Sequence, residues 1–182
     1  MANAEQTGNI DNTLNIMNLQ LNGAGKEEQL IVFTVGDEEF GLNVLRVQEI
    51  IRYVKPTKIP HAPPFMEGVI DFRGDVIPVI NMRERFGIRD ADNKETSVII
   101  VIENAGRIFG LTVDVVSDLL SLPQDKIQQR IEFTGEDKTK YLQAMGKLDE
   151  RLILILDLDK IIDFNEEKKL DEMVLSLKEN QV

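Results

Sequence analysis

A unit that occurs twice sets the first limit on how this 182-residue chain folds. Phe40-Gly-Leu-Asn-Val-Leu-Arg-Val-Gln-Glu-Ile-Ile51 lies over Phe109-Gly-Leu-Thr-Val-Asp-Val-Val-Ser-Asp-Leu-Leu120. Five of the twelve positions are identical, and Glu49/Asp118, Ile50/Leu119 and Ile51/Leu120 are conservative. The preceding stretches match in character, Leu30–Val35 with Val98–Ile102, and Val76–Met82 lies over Leu152–Leu158. A duplicated supersecondary unit implies two similar subdomains related by a rough two-fold. Each would hold only about 65 residues, marginal for a private core, so the two are expected to pack together.

The character of the unit is β. Leu30–Val35 and Phe40–Leu45 flank Gly36-Asp-Glu-Glu39, and Gly68–Phe72 and Val76–Ile80 flank Arg73-Gly-Asp75. Val98–Ile102 and Ile108–Val113 flank Asn104-Ala-Gly-Arg107, and Tyr141–Leu148 and Leu152–Leu156 flank Asp149-Glu-Arg151. Apolar β-branched stretches broken by turn residues at this spacing read as hairpins of small barrels or a sandwich. Pro78 inside one strand calls for an edge or a bulge, because it has no N–H for a ladder. Phe40 and Phe109 are expected in the barrel cores, with Gly41 and Gly110 at bulges or close backbone approaches. The segments after them are expected to be short helical pieces. On these the repeat puts Val47 and Val116 at matching places near the pseudo-axis, in a groove where the halves meet.

The side chains present exclude many chemistries. The chain has no Cys and one His, which removes disulfides, thiolate nucleophiles, zinc–thiolate sites and any site needing two imidazoles. With 32 acidic against 21 basic residues the net charge is −11, which disfavours generic binding to nucleic acid or anionic lipid. Trp is absent and aromatics make up 5%, so stacking platforms for single strands are not expected. Phosphate-cradling and nucleophile-elbow motifs are missing. Asp157 with Asp159, and Asp114 with Asp118, have metal-like spacing but no EF-hand turn, and read as helix-start and strand-end acids. His61 lies in a proline-fixed loop, and Arg73-Gly-Asp75 reads as turn chemistry rather than an adhesion signal.

At the ends, residues 1–27 are expected to be a flexible tail without a secretory or membrane-spanning pattern. The segment 165–182 is expected to be a helix, with Leu170, Met173, Val174 and Leu177 on one face and Glu166 and Glu167 near its positive start. The polar stretch 89–95 marks the junction of a first subdomain, about 28–88, with a second, about 96–160, with strand exchange between them allowed for.

With these blocks in order, the sequence closely resembles the CheW family of bacterial chemotaxis coupling proteins. The resemblance rests on Leu30–Gly41, Val47–Ile50, Gly68–Gly74, Val76–Ile80, Phe109–Leu111, Val113–Leu119 and Leu152–Leu156, and covers about residues 28–164. It implies a mainly β fold of two SH3-like five-stranded antiparallel barrels related by a pseudo-two-fold, with short helices and a C-terminal helix. It also implies a cytoplasmic, non-enzymatic adaptor without cofactor or metal, recruited to membrane receptor arrays. The partners implied are the regulatory domain of the histidine kinase CheA and the cytoplasmic tip of methyl-accepting chemoreceptors, with other CheW copies as a further partner. Nucleic acid and membrane insertion are not among them. Receptor-contacting positions of the family match Val47, Glu49, Arg73, Val98, Gly110 and Val116. Kinase-side or ring-forming positions fall at Gln128, where some members carry arginine, and Phe133.

A helical hairpin would bind such a groove through apolar anchors, with polar residues fixing the register. Val47, Val98 and Val116 would form a smooth apolar floor, and Gly110 would let a helix come close. Arg73 would meet a carboxylate or carbonyl at the rim, with Glu49 pairing with it or with the partner. Two other readings stay open: an adaptor module of a CheV- or CheA-type protein, and a small carboxylate-dependent hydrolase, which would need two acids in one pocket.

Overall fold

The structure is a computed structural model that describes residues 27–89, 95–129, 139–162 and 164–179. In chain order the strands are β1 (Glu27–Val35), β2 (Glu38–Asn43), β3 (Val47–Arg52), β4 (Met66–Phe72), β5 (Asp75–Asn81) and β6 (Val98–Asn104). They continue with β7 (Arg107–Val113), β8 (Val115–Pro123), β9 (Ile127–Gln129), β10 (Leu142–Leu148) and β11 (Arg151–Leu156). Among the described residues three α-helices accompany them, α1 (Met82–Arg85), α2 (Leu158–Ile161) and α3 (Phe164–Glu179). All four hairpins expected from the sequence form, because alternation and turn chemistry are local. Arg73 and Gly74 both take positive φ, 52° and 88°, the conformation that a two-residue hairpin turn demands.

The order of the strands follows from long-range pairing. One sheet runs β8-β1-β2-β11-β10-β9 and the other β3-β6-β7-β5-β4. Hairpins are thus exchanged between the halves of the chain: β1–β2 joins strands of the second repeat, and β6–β7 joins β3, β4 and β5 of the first. Parallel ladders seal both exchanges, Phe40 and Gly41 against Leu154 and Ile155, and Gly110 and Leu111 against Val79 and Ile80. The sheets are therefore mixed rather than purely antiparallel, and the first has six strands where five were expected. Pro78 sits just ahead of the β5–β7 ladder, which starts at Val79, so the strand is locally an edge there.

The five-stranded sheet curls until its outer strands meet. Tyr53, just past β3, donates its hydroxyl to Glu67 on β4, and Arg73 in the β4–β5 turn reaches Glu49 on β3. In the six-stranded sheet Leu122 of β8 fills the space beside Gly146 of β10.

Period-two alternation then sorts the apolar residues into three cores. Leu30, Val32, Leu122, Ile127, Ala144, Ile153 and Ile155 fill the first barrel. Ile70, Phe72, Ile77, Val79, Ile99 and Val101 fill the second. The opposite faces of the same strands, Ile31, Phe33, Val35, Ile100 and Ile102 among them, join the largest cluster, which lies between the barrels. Phe40 and Phe109 belong to this middle layer and not, as expected, to the barrel interiors. The correction has a simple cause: Gly41 and Gly110 face the barrel interiors, against Leu30 and Ile153 and against Val79 and Ile99, so alternation turns Phe40 and Phe109 to the opposite face. Helix α3 lays Leu170, Met173, Val174 and Leu177 on the same layer. It is anchored by Arg85, whose guanidinium is bidentate to Glu166 (3.2 and 2.6 Å) and lies over Phe65 and Tyr141 at 4.1 and 5.0 Å.

Candidate functional site

The two copies of the repeated unit supply the strands that cross between barrels. After β2, Asn43 caps a single 3-10 turn, Val44–Arg46, by accepting the Leu45 N–H at 2.9 Å, and the chain enters β3. After β7 it passes Asp114 and enters β8. The short helical segments expected around Val47 and Val116 are instead strand, since both stretches find ladders, Val47 opposite Ile102 and Val116 opposite Phe33. Only residues 44–46 are helical. At each crossing the register slips, between Val47 and Glu49 and between Val116 and Asp118, so Gln48 and Ser117 bulge at equivalent points of the repeat.

The three valines share one surrounding. Val47 is part of the middle core, and Val98 and Val116 pack against it from its margin, partly buried. They are not sealed in separate interiors. Two expectations need correction, however. Val47 is 2% exposed and forms core rather than an open floor. Gly110 is buried as well, and a Cβ there would stand 2.7 Å from Cγ2 of Ile99. The missing side chain is filled by the neighbouring strand, so it leaves no room for an approaching helix. Gly41 repeats the arrangement against Ile153 and Leu30.

Glu49 and Arg73 meet at the surface. Arg73 Nη2 donates to Glu49 Oε2 at 2.9 Å, with side chains 68% and 29% exposed, and its guanidinium lies 5.1 Å from the centre of the Phe72 ring. The tight turn fixes where this guanidinium leaves the sheet, and most of it remains accessible. Gln128 is exposed on the outer strand β9, by a cavity of about 450 Å³ that Met145, Lys147 and Leu152 also line. Phe133 lies outside the described residues.

Several arginine–carboxylate groupings escaped sequence reading, Arg107 with Asp171 at 2.7 Å among them. Arg151 binds Glu39 through Nε and Nη2 (3.2 and 2.7 Å) and Asp118 through Nη1 (3.0 Å). Its hydrogen bond to Glu39, more than that to Asp118, raises its pKa above the ordinary guanidinium value, so it stays charged. Asp118 is the repeat counterpart of Glu49, so the superposition itself was the signal that an arginine should face it. Others are Arg83 with Asp114, and Arg85 with Glu166. The acids singled out for metal-like spacing are engaged otherwise. Asp157 caps Asp159 N at 3.0 Å, Asp159 accepts from Asn104 at 2.7 Å, and Asp114 and Asp118 accept from arginines. Among the described residues no group of three or more His, Cys, Asp or Glu is placed to hold a metal ion.

Comparison with known proteins agrees with this fold. The model of the CheW-like domain matches residues 29–166. The chemotaxis protein CheW of Klebsiella aerogenes is 35% identical over 157 residues, covering 86% of this chain and 95% of the relative. The chemotaxis protein CheV3 of Helicobacter pylori is 26% identical over 137 residues, which make up 71% of this chain but 44% of that protein. Among solved structures, the scaffolding protein TtCheW from Thermoanaerobacter tengcongensis superposes with a TM-score of 0.71 and 34% identity, over 77% of this chain and 95% of that one.

Proposed function

The chain belongs to the CheW-like family, a family of chemotaxis coupling adaptors, and from that premise we propose that it joins chemoreceptors to the kinase CheA at the cytoplasmic face of the membrane. No described helix is long and apolar enough to cross a bilayer, so recruitment would come from protein contacts. The observation that carries the receptor side is the Arg73–Glu49 pair, held by a rigid hairpin turn and largely open to solvent. An arginine presented this way offers a planar fork to a carboxylate or to carbonyls at a helix end, with neighbouring carbon surface to take apolar anchors. The receptor surface is then formed by Glu49, Arg73, Val98 and Val116, with Val47 and Gly110 supporting it from below. The kinase or ring contact is assigned to the β9 region at Gln128 and to Phe133.

Such a surface suits a contact of about 1,200–1,600 Å², modest alone and reinforced in an array by multivalency. The CheV-type reading is weaker, because the similarity to CheV3 spans less than half of that protein. Reconstitution of receptor, CheA and this protein tests the assignment. Kinase output should depend on this protein, and Arg73→Glu and Val116→Asp should each cut receptor pull-down at least tenfold. Parent-like binding by both variants rejects the surface.

A further inference from the structure

We propose that Arg83, Asp114 and the backbone of Gly36 form a joint that sets the angle between the barrels and thereby positions Val98 and Val116 for the receptor. The proposal rests on the receptor surface assigned above. Asp114 is the residue at which the chain leaves the second barrel for the first. Its carboxylate accepts Arg83 Nε at Oδ1 (2.7 Å), Arg83 Nη2 at Oδ2 (2.7 Å) and Gly36 N at Oδ2 (2.8 Å). Its own N–H donates to the Thr34 carbonyl at 3.0 Å. Arg83 stands on α1, directly after β5 of the second barrel, while Gly36 and Thr34 belong to the β1–β2 hairpin of the first. One carboxylate therefore ties elements of both barrels, and the Arg83 and Asp114 side chains are only 15% and 18% exposed.

The location of the joint gives it a consequence. Val98 pairs with Val113, one residue before Asp114, and Val116 lies two residues after it. Only Asp114 and Val115 thus lie between Val113, the strand partner of Val98, and Val116. A change of angle at Asp114 moves Val116 against Val98 and the Glu49–Arg73 pair.

The fold does not need the joint to make the crossing. In the other copy of the repeat Leu45 stands where Asp114 stands, 60% exposed, and the chain crosses on a capped 3-10 turn. A cavity of about 540 Å³, lined by Leu45, Asn104, Asp157 and Asp159, occupies that side. That crossing has a single carboxylate bond of its own, Asn104 Nδ2 donating to Asp159 Oδ1 at 2.7 Å, whereas Asp114 gathers a bidentate arginine and a backbone N–H, the stiffer arrangement that orientation requires and mere connection does not.

The chain has no cysteine, so paired cysteines introduced at the exposed Lys58 and Lys126, one on each barrel, accept spin labels cleanly. The test compares Asp114→Asn, Arg83→Lys and the swapped pair Arg83→Asp/Asp114→Arg, with Arg73→Glu as the direct-contact control. The probe is the purified cytoplasmic hairpin of a methyl-accepting receptor. Asp114→Asn should broaden the interlabel distance distribution and weaken hairpin binding at least fivefold, Arg83→Lys should do so less, and the swapped pair should recover part of both. If Arg73→Glu loses binding while Asp114→Asn and Arg83→Lys bind like the parent, the joint is refuted and the receptor surface stands. If Arg73→Glu also binds like the parent, the surface reading is what fails. Weakened binding with an unchanged distance distribution also overturns the joint. Should Asp114→Asn not fold, Arg83→Lys alone decides by the same two readouts.

Discussion

Ile99 fills the place of a side chain on Gly110: its Cγ2 lies 2.7 Å from where a Cβ would stand, closer than real Cβ contacts come. This contact lies on the second barrel's own packing face, with Val79 next nearest. Gly110→Ala forces Ile99 or the β6–β7 ladder to shift, and overpacking of this kind costs about 1–3 kcal/mol. We expect a lowered urea midpoint for Gly110→Ala, and a clearly smaller loss from the same substitution in an Ile99→Ala background, where Cγ2 is gone. An unchanged midpoint in the single variant would show that the layer yields freely.

Val47 and Val116 occupy equivalent positions of the repeat, yet one is sealed in the core and the other lies at its margin. Val47→Asp buries an unpaired carboxylate and should destabilise by more than about 3 kcal/mol, with loss of soluble protein at 37 °C. Val116→Asp should keep a cooperative thermal transition within a few degrees of the parent. Equal damage from both would contradict the difference in burial.

The Arg73–Glu49 pair is open to solvent, and pairs of this kind contribute about 0.2–1 kcal/mol. A double-mutant cycle with Arg73→Ala and Glu49→Ala should therefore return a coupling below about 1 kcal/mol in unfolding. Receptor binding by Arg73→Ala should still fall about tenfold. A large stability loss would make the arginine a structural residue rather than a recognition one.

Arg85 joins α3 to both barrels through Glu166, Phe65 and Tyr141, and is 10% exposed. Arg85→Ala leaves Glu166 without this partner and removes ring contacts, for an expected loss of about 1–3 kcal/mol. Arg85→Lys should recover little, because an ammonium lacks the planar fork. Hydrogen exchange along residues 166–179 reads the outcome. Protection equal to the parent in Arg85→Ala would assign the docking of α3 to Leu170 and its apolar neighbours alone.

Within the candidate site, the turn that carries Arg73 was legible because turn chemistry is local. Arg73 was readable as a turn residue from Phe72-Arg-Gly-Asp75, and Glu49 as its candidate partner. Val47 and Gly110 misled for one reason: a residue's type and its place in a repeat do not tell whether another strand covers it. Asp114 was read only as a strand-end acid, since Arg83 and Gly36 reach it from 31 and 78 positions away.

The amino-acid order by itself determined four hairpins, the tight turn at Arg73-Gly74, the apolar face of α3 and the twofold character of the chain, all matters of neighbours along the backbone. Tertiary structure alone decided that β1–β2 and β6–β7 change places, that parallel ladders seal the exchange, and that Phe40 and Phe109 lie between the barrels. It also decided that one crossing is held by the Arg83–Asp114 ion pair and the other by the hydrogen bond from Asn104 to Asp159. The physical reason is that strands satisfy their hydrogen bonds with any edge in register. Which edge is used follows from burying both faces of each barrel at once, a condition on the whole molecule that no segment carries alone.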